Sequence, residues 1–368
     1  MKFVHTADWQ LGKPFGRFEP EVRTALADAR FDSLDAIGAF ALNNDVNHVL
    51  VAGDIFDTDG PEDRTIVQAI SRMERYPCRW WLLPGNHDYA RSGGLWARVR
   101  QRAGTSITIL TEPVASEIES GAWLLPAPLT HRHNLVDPTE IFDAMATPEG
   151  SLRIGLAHGS IRDFGNQGET KNQIGANRAR QSGLDYLALG DWHGALSIDS
   201  RTWYAGTPET DRFQRDEPGK ILLVEVEPGC DPVVVPYRIG RFQWLRRSWM
   251  VNDRAAFDAE WDRLLAEIDP SVTLLELSLA GITSIQDRVA MLDRLENDLG
   301  HRLRYLDVRS VDLVGRPSDD DLATLAVEGI LSVAAAKLTK LAEAGGPDAP
   351  AAKRALERLF VEYHKEPA

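Results

Sequence analysis

Five short apolar stretches of the chain each end in side chains that can bind a metal ion or transfer a proton. They are Phe3–Gln10, Val49–Asp57, Trp80–Asp88, Ile154–Gly159 and Tyr186–His193. Short apolar runs bounded by turn residues are typical of buried strands in an α/β sheet. Ligands of open α/β sheets bind just beyond the carboxyl ends of the strands. We therefore expect one cleft to contain Asp8, Gln10, Asp54, Asn86, His87, His158, Asp191 and His193.

The donor types in this set indicate which metals it would hold. Carboxylate and amide oxygens are mixed with imidazole nitrogens, and there is no cysteine among them. Structural zinc sites are built mainly from cysteine and histidine, whereas oxygen donors favour harder divalent ions. The set therefore predicts two divalent metals rather than one structural zinc.

The segments between the strand-like runs predict the elements that position these side chains. Helices are expected over Glu19–Leu42 and Arg64–Arg75, each with an apolar face. Further strands are expected over Ile221–Val226 and around Val233–Val235. This alternation up to about Tyr237 is typical of a layered α/β architecture.

The residue composition of the sequence changes near Arg238. Four arginines alternate there with aromatic residues, namely Arg238, Arg241, Arg246 and Arg247 with Phe242, Trp244 and Trp249. One interpretation is a surface that stacks bases and binds phosphates of a nucleic acid. The other is an amphipathic strand that leads out of the first domain.

A second unit is predicted to follow, with helices over Arg254–Ile268 and Ile285–Leu299 and strands over Thr273–Leu279 and Leu303–Val308. Ser318 is expected to cap a helix that runs to about Ala344, before Gly345-Gly346-Pro347. A last helix is expected over Ala351–Lys365. Its apolar stripe of Leu356, Leu359, Phe360 and Tyr363 fits either a partner or its own domain.

Bulk properties limit the class of protein. The chain has 368 residues, of which 43% are hydrophobic and 26% charged, and its formal net charge is −14. This length predicts about two domains. The two cysteines, Cys78 and Cys230, exclude a disulfide framework. The first motif begins at once, and no apolar run reaches about 18 residues, so we expect a cytoplasmic protein without a membrane span. The acidic charge neither proves nor excludes a nucleic-acid substrate, because bound cations offset acidic residues.

Taken in order, the motifs resemble those of the calcineurin-like metallophosphoesterases. The resemblance rests on Asp8-x-Gln10, Gly53-Asp54-x-x-Asp57, Gly85-Asn86-His87-Asp88, His158 and Gly190-Asp191-x-His193. The runs His5–Trp9, Gly53–Asp57, Pro84–Asp88 and Tyr204–Glu209 are similar to the SbcD-type DNA double-strand-break repair nucleases. The resemblance covers roughly the first two-thirds of the chain. It implies a layered β-sandwich flanked by helices, followed by a small α/β capping domain and C-terminal helices. We place these parts at 1–240, 241–316 and 317–368.

The resemblance also implies a ligand set. Asp8, Gln10, Asp54 and His193 would hold one metal, and Asp54, Asn86, His158 and Asp191 would hold the other, with Asp54 shared. The family commonly has His where this chain has Gln10 and Asp191. Gln10 is a poorer ligand than imidazole and is expected to bind weakly, through water, or not at all. Both changes favour Mn²⁺ or Mg²⁺ over softer metals.

By the same resemblance, His87 contacts the phosphate or protonates the leaving oxygen, while metal-activated water attacks phosphorus. Asp88 is a second catalytic candidate that either orients His87 or caps a turn. Asp57 is expected to hold the Asp54 loop, and His5 to be a packed side chain.

Three functions fit these residues. The favoured one is a metal-dependent DNA repair nuclease, exonuclease or endonuclease, that acts in repair and recombination as a homodimer with an SMC-like ATPase of the SbcC kind. The second is a phosphodiesterase for small molecules, which the net charge of −14 mildly favours. The third is a non-catalytic scaffold for the ATPase, which only Gln10 and Asp191 support.

Overall fold

The computed structural model describes residues 1–162, 171–213, 218–316 and 329–365. Contacts divide the chain into two compact units. The first is Met1–Asp211 with Glu217–Gln243, and the second is Arg212–Asp216 with Trp244–Ala368. The division at 1–240, 241–316 and 317–368 stays a prediction.

The first unit contains two six-stranded sheets and a small two-stranded one. Its strands are β1 (Lys2–Thr6), β2 (His48–Val51), β3 (Arg79–Leu82), β4 (Ile107–Ile109), β5 (Ser116–Glu119), β6 (Ala122–Ala127), β7 (Leu152–His158), β8 (Ser160–Ile161), β9 (Gln173–Ile174), β10 (Tyr186–Gly190), β11 (Leu196–Ser197), β12 (Thr202–Tyr204), β13 (Lys220–Glu225) and β14 (Val233–Arg238). The first sheet has the order β14-β13-β1-β2-β3-β4, and the second has the order β11-β12-β10-β7-β6-β5.

Within each sheet, the central strands are parallel. Strands β1 to β4 run in one direction, and β13 pairs antiparallel with β1. In the second sheet β6, β7, β10 and β12 are parallel to one another. The five strands that were predicted to lead into the candidate site residues are therefore present, as β1, β2, β3, β7 and β10. Because parallel strands end at the same edge of a sheet, the residues that follow them are brought close together.

The two large sheets pack face to face through apolar side chains. Phe3, Leu50 and Trp81 of the first sheet share one buried cluster with Leu124 and Tyr186 of the second. Successive side chains of a strand point to opposite faces, so the neighbouring residues of the first sheet face away from this core. The predicted β-sandwich is confirmed.

Helices cover the outer faces of the sandwich. They are α1 (Pro20–Asn43), α2 (Asp63–Met73), α3 (Leu95–Arg100) and α4 (Arg178–Gln181), with a 3₁₀ turn at Pro138–Ala144. The first three share a buried cluster with the outer side chains of the first sheet. The bounds of α1 and α2 agree with the predicted helices to within two residues. Pro20 opens α1, where its missing N–H costs no hydrogen bond.

The second unit is a smaller α/β structure. Its elements are β15 (Gln243–Met250), α5 (Arg254–Glu267), β16 (Thr273–Ser284), α6 (Ile285–Arg294), α7 (Gly300–Arg302), β17 (Tyr305–Arg316), α8 (Gly329–Glu343) and α9 (Ala349–Lys365). A three-stranded sheet has the order β15-β16-β17. Asp253 and Ser284 cap α5 and α6 by accepting hydrogen bonds from the backbone N–H of Ala256 and Asp287.

The segment in which arginines alternate with aromatic residues consists of the amphipathic strand β15 and the residues just before it. Phe242, Trp244 and Trp249 are almost completely buried, so none of these rings can stack on a base. Arg246 makes an ion pair with Glu276, at 2.8 Å. The base-stacking part of the nucleic-acid interpretation was wrong, and the amphipathic strand is confirmed.

The last helix packs partly within its own unit. Leu356 is buried against Ile285 of α6 and Ala335 of α8, and Leu359 packs against the same cluster. The side chains of Phe360 and Tyr363 and the expected cap at Ser318 lie outside the described residues. Both cysteines are free thiols. Among the described residues, no helix is both long and apolar enough to span a membrane.

Candidate metal centre

The ends of parallel strands position most of the candidate ligands. Asp8 follows β1, Asp54 follows β2 and Asn86 follows β3 in the first sheet. His158 is the last residue of β7, and Asp191 directly follows β10 in the second sheet. The two sheets meet at this edge, where the backbone N–H of Asp191 donates to both carboxylate oxygens of Asp8, at 3.1 and 3.2 Å.

Four candidate ligands have a left-handed backbone conformation. The φ angles are 56° for Asp8, 45° for Gln10, 53° for Asp54 and 103° for Asp191. Such residues cost about 1–3 kcal/mol each and are found mainly where the surrounding structure requires them. Their clustering at one edge of the sandwich supports a functional site there.

Two glycines allow the strand ends to approach closely. A Cβ atom on Gly190 would lie 1.9 Å from the carbonyl oxygen of Ala52. A Cβ atom on Gly53, which has a φ of +90°, would lie 2.2 Å from Nδ1 of His158. The contact between the two sheets at the site therefore requires glycine at both positions.

Three buried side chains form the centre of the site. Asp8, Asp54 and His158 each offer a ligand atom, and these atoms lie within 4.8 Å of one another. Nε2 of His158 is 3.5 Å from Oδ1 of Asp54 and 3.8 Å from Oδ1 of Asp191. Nε2 also lies 3.1 Å from Oδ1 of Asn86. The structure thus brings together both acids, the amide and the imidazole predicted for the second metal position.

The tautomer of His158 fits a metal ligand. Its Nδ1 lies 2.8 Å from the carbonyl oxygen of Ala52. A carbonyl only accepts, so Nδ1 carries the hydrogen. When a cation displaces the proton of Nε2, the lone pair of that nitrogen would face the carboxylates, which is the usual arrangement in metal-binding histidines.

The pKa values of the cluster reflect its charge density. Burial raises the pKa of Asp8 to about 6, against the opposing effect of His193 and His158. Burial disfavours protonation of His158, but the carboxylates of Asp54, Asp8 and Asp191 outweigh it and raise the pKa to about 9. Buried carboxylates at this density are stable only with compensating positive charge, so the donor set fits divalent cations.

Gln10 and His193 lie together at the position predicted for the first metal. Nε2 of Gln10 is 3.4 Å from Nε2 of His193. Oε1 of Gln10 accepts a hydrogen bond from Lys13 Nζ at 2.7 Å. His193 Nδ1 lies 3.5 Å from Oδ1 of Asp211, and Asp211 also pairs with Lys13 and, at 3.4 Å, with Arg30.

His87 lies at the rim of the cluster with part of its side chain exposed. Its backbone N–H donates to Oδ1 of Asp54 at 2.9 Å, and its Nε2 lies 3.9 Å from Oδ2 of Asp54. Its Nδ1 is 2.8 Å from the carbonyl oxygen of Asp57. Asp57 therefore orients the His87 imidazole through its backbone, in the loop that Asp57 was expected to hold.

Asp88 is fully buried and anchors two loops. Its carboxylate accepts hydrogen bonds from the backbone N–H of Phe56, at 3.0 Å, and of Gly85, at 2.7 Å. Burial and the charge of Asp54 raise the pKa of Asp88 to about 7. These contacts match the turn-capping interpretation rather than one in which Asp88 orients His87. A catalytic role for Asp88 stays a prediction.

Asp211 and Lys13 were not predicted from the sequence, because neither residue follows a strand-like run. Only the segment Tyr204–Glu209, whose residues are similar to those of the family, indicated this region. Thr207 in that segment donates to the carbonyl oxygen of Asp8 at 3.0 Å. His5, expected to be packed, is fully buried against the hydroxyl of Tyr186 at 3.0 Å, and burial lowers its pKa to about 3.

Residues 1–224 match the family model of the calcineurin-like phosphoesterases. The chain belongs to this family. Its fold is that of a metal-binding hydrolase, and the buried cluster of Asp8, Asp54 and His158 is a candidate ligand triad. The family match supports hydrolysis of phosphate esters without identifying the metal.

Several curated proteins are similar to the chain at low identity. The SbcD component of nuclease SbcCD from Bacillus subtilis is 24% identical over 269 residues, which are 62% of this chain and 67% of that protein. DNA double-strand break repair protein Mre11 of Haloferax volcanii is 26% identical over 236 residues, 62% of this chain and 50% of that protein. The SbcD component of nuclease SbcCD from Escherichia coli K12 is 34% identical over 91 residues, 24% of this chain and 21% of that protein. The chain thus spans about one-fifth to two-thirds of the length of these relatives.

Among solved structures, the protein TT1561 of Thermus thermophilus aligns with 62% of this chain and 97% of its own length, at 9% identity. The TM-score is 0.42, so this likeness supports no further argument.

Proposed function

We propose that the chain is a DNA repair nuclease that hydrolyses phosphodiester bonds with water activated by two divalent metal ions, Mn²⁺ or Mg²⁺. The observation that supports it most is the buried convergence of Asp8, Asp54 and His158 within 4.8 Å. The names of the similar proteins, two nuclease components and a DNA repair protein, favour DNA as the substrate.

The proposed ligands divide between two positions. Asp8, Asp54 and His193 would hold one ion, and Asp54, Asn86, His158 and Asp191 the other, with Gln10 beside the first. Bound ions at such sites lower the pKa of a water and neutralise charge that develops on the phosphate. The chain itself supplies the rigid placement, because the candidate ligands lie at strand ends and in loops held by backbone hydrogen bonds.

His87 is proposed to act on the substrate rather than to bind metal. The carbonyl of Asp57 accepts from its Nδ1–H, so Nε2 is the atom that gains or loses the proton. The partly exposed imidazole can reach a phosphate oxygen or the leaving oxygen. A protonated imidazole can donate its proton to the leaving oxygen as a general acid.

The assembly is also proposed by analogy. A partner SMC-like ATPase of the SbcC kind and a homodimer are expected from the resemblance to SbcD-type nucleases. The cytoplasmic location and the preference between exonuclease and endonuclease cleavage stay predictions.

The substrate class is tested by offering the purified chain a linear DNA duplex and bis(p-nitrophenyl) phosphate, each with Mn²⁺ and with EDTA. A nuclease degrades the duplex only with Mn²⁺. Hydrolysis of the small ester with an intact duplex would favour the small-molecule phosphodiesterase. An intact duplex and an intact ester, with Mn²⁺ bound, would favour the scaffold or an obligatory ATPase.

A further inference from the structure

Four side chains form a closed ring of contacts at the first metal position. Lys13 contacts Gln10, Gln10 contacts His193, His193 contacts Asp211, and Asp211 contacts Lys13. All four lie in the first unit. The ring contains two candidate metal ligands, Gln10 and His193, and a fixed ammonium charge.

The chemistry of Lys13 decides which end of the Gln10 amide faces His193. An ammonium group has three donors and no acceptor, so the atom 2.7 Å from Nζ must be the amide oxygen. The NH₂ group then faces Nε2 of His193, at 3.4 Å. An amide NH₂ group has no lone pair to offer a cation, so in this orientation Gln10 cannot be a ligand.

Lys13 is held firmly in this place. Its backbone N–H donates to the carbonyl oxygen of Gln10 at 3.2 Å, in a turn that includes Gly12 with a φ of +89°. Its ammonium pairs with Asp211, whose side chain is buried and also pairs with Arg30. A unit positive charge is therefore fixed beside the position that the family fills with a metal.

We propose that Lys13 makes the two metal positions unequal. It turns the oxygen of Gln10 away from the first position and adds a charge that repels a cation there. The first position, with Asp8, Asp54 and His193, binds Mn²⁺ much more weakly than the second, with Asp54, Asn86, His158 and Asp191. This inference rests on the proposed metal-dependent function of the same site.

The size of the effect follows from charge. If an ion at the first position lay roughly 5 Å from the Lys13 ammonium, Coulomb repulsion would weaken its binding by on the order of tenfold even in a water-like medium. Removal of the charge also leaves Asp211 with less compensation and lets the amide of Gln10 turn. Loss of the repelling charge, the less compensated Asp211 carboxylate and the freed Gln10 amide should each strengthen cation binding at the first position.

The test is calorimetric titration of the intact chain with MnCl₂. We expect one tight ion and a second that binds at least about tenfold more weakly. Lys13→Met should strengthen binding of the weaker ion, the one at the first position, by about tenfold or more. Binding of the tighter ion, at the second position, should not change. Lys13→Arg keeps the charge and should keep the second ion weak. Lys2→Met is the matched control, because Lys2 pairs with Glu225 away from the site.

Electron paramagnetic resonance of the same samples gives an independent readout. With one equivalent of Mn²⁺, the wild type should show isolated ions, and with two equivalents Lys13→Met, unlike the wild type, should show mostly exchange-coupled pairs. Gln10→His is a second variant, and its result does not depend on whether Lys13→Met folds. Lys13 cannot turn an imidazole ligand away, so Gln10→His should also strengthen binding of the weaker ion at the first position.

Two ions of equal affinity in the wild type, or unchanged affinities in Lys13→Met and Gln10→His, would overturn the proposal. These measurements use no DNA. Equal affinities in an active nuclease would overturn only this inference, whereas unequal affinities in a chain that cleaves no phosphodiester would overturn only the proposed function.

Discussion

Replacement of Asp8 by Asn should stabilise the metal-free protein and remove its response to metal. The carboxylate of Asp8 is completely buried beside Asp54 and Asp191. Without a cation, burial and these neighbours disfavour its ionised form. Asn has nearly the same shape and tolerates the left-handed backbone at this position, where φ is 56°. The substitution therefore removes charge with little change in packing.

The magnitude follows from the pKa. Burial raises the pKa of Asp8 from 3.8 to about 6, and each pKa unit corresponds to about 1.4 kcal/mol, so ionisation costs the folded state about 3 kcal/mol. Loss of one of the two hydrogen bonds from the Asp191 N–H offsets about 1 kcal/mol of this. Above pH 7 the Asn variant should unfold with a free energy about 2 kcal/mol higher than that of the wild type.

The raised pKa of Asp8 also determines how the stability difference between the wild type and Asp8→Asn changes with pH. Between about pH 4 and 6 the folded wild type binds more protons at Asp8 than the unfolded chain does. Its stability relative to Asp8→Asn therefore rises as the pH falls, and the advantage of the variant should disappear near pH 4.

The assay is urea denaturation of the wild type and Asp8→Asn in EDTA and in Mn²⁺, with Asp28→Asn on an exposed helix position as the control. Mn²⁺ at about 100 times its dissociation constant should stabilise the wild type by about 2.7 kcal/mol and the variant by much less. An Asp8→Asn variant that is less stable than the wild type in EDTA, or that gains as much stability from Mn²⁺ as the wild type does, would show that the Asp8 carboxylate is neither costly nor a metal ligand.

Two further predictions concern the loops and the contact between the sheets. Asp88→Ala leaves two buried backbone N–H groups without an acceptor, whereas Asp88→Asn removes the same buried charge and keeps one acceptor, so Asp88→Ala should be less stable than Asp88→Asn by about 1–3 kcal/mol in urea denaturation; a difference below about 0.5 kcal/mol, typical of an exposed site, would contradict the anchoring role. Gly190→Ala places a methyl group 1.9 Å from the carbonyl oxygen of Ala52, so it should cost at least about 2 kcal/mol and weaken Mn²⁺ binding in calorimetry. Gly60→Ala, where a Cβ meets no atom within 4 Å, is the matched control.

The sequence predicted the sandwich and much of the site because both depend on local patterns. Five strands of the two large sheets are short apolar runs that end in or are soon followed by a candidate ligand, as Asp54 follows β2. Parallel strands then bring those ends together regardless of the detailed packing. The same logic located His158 and Asp191 on the second sheet.

The rest of the site depends on tertiary packing that no local pattern shows. Asp211 and Lys13 reach Gln10 and His193 from loops, so neither has a periodic or strand-end signal. The burial of Trp244 is decided by its surroundings in the second unit, so an arginine and aromatic alternation could not distinguish a stacking surface from a strand. Strand β16 runs five residues beyond its predicted end, past a register shift between Ser278 and Ala280 beside β17. Gly281, with a φ of +137°, lets this extension approach the carbonyl oxygen of Val251, where a Cβ atom would lie 2.1 Å away.

The proposed nuclease activity is tested by cleavage of an end-labelled linear duplex by the purified chain with Mn²⁺, beside His87→Ala, with the metal content of both proteins measured. We expect the wild type to shorten the duplex or release the label, EDTA to prevent this, and His87→Ala to bind Mn²⁺ normally but not to cleave. Equal cleavage by His87→Ala, or an intact duplex with the Mn²⁺-loaded wild type, would contradict it.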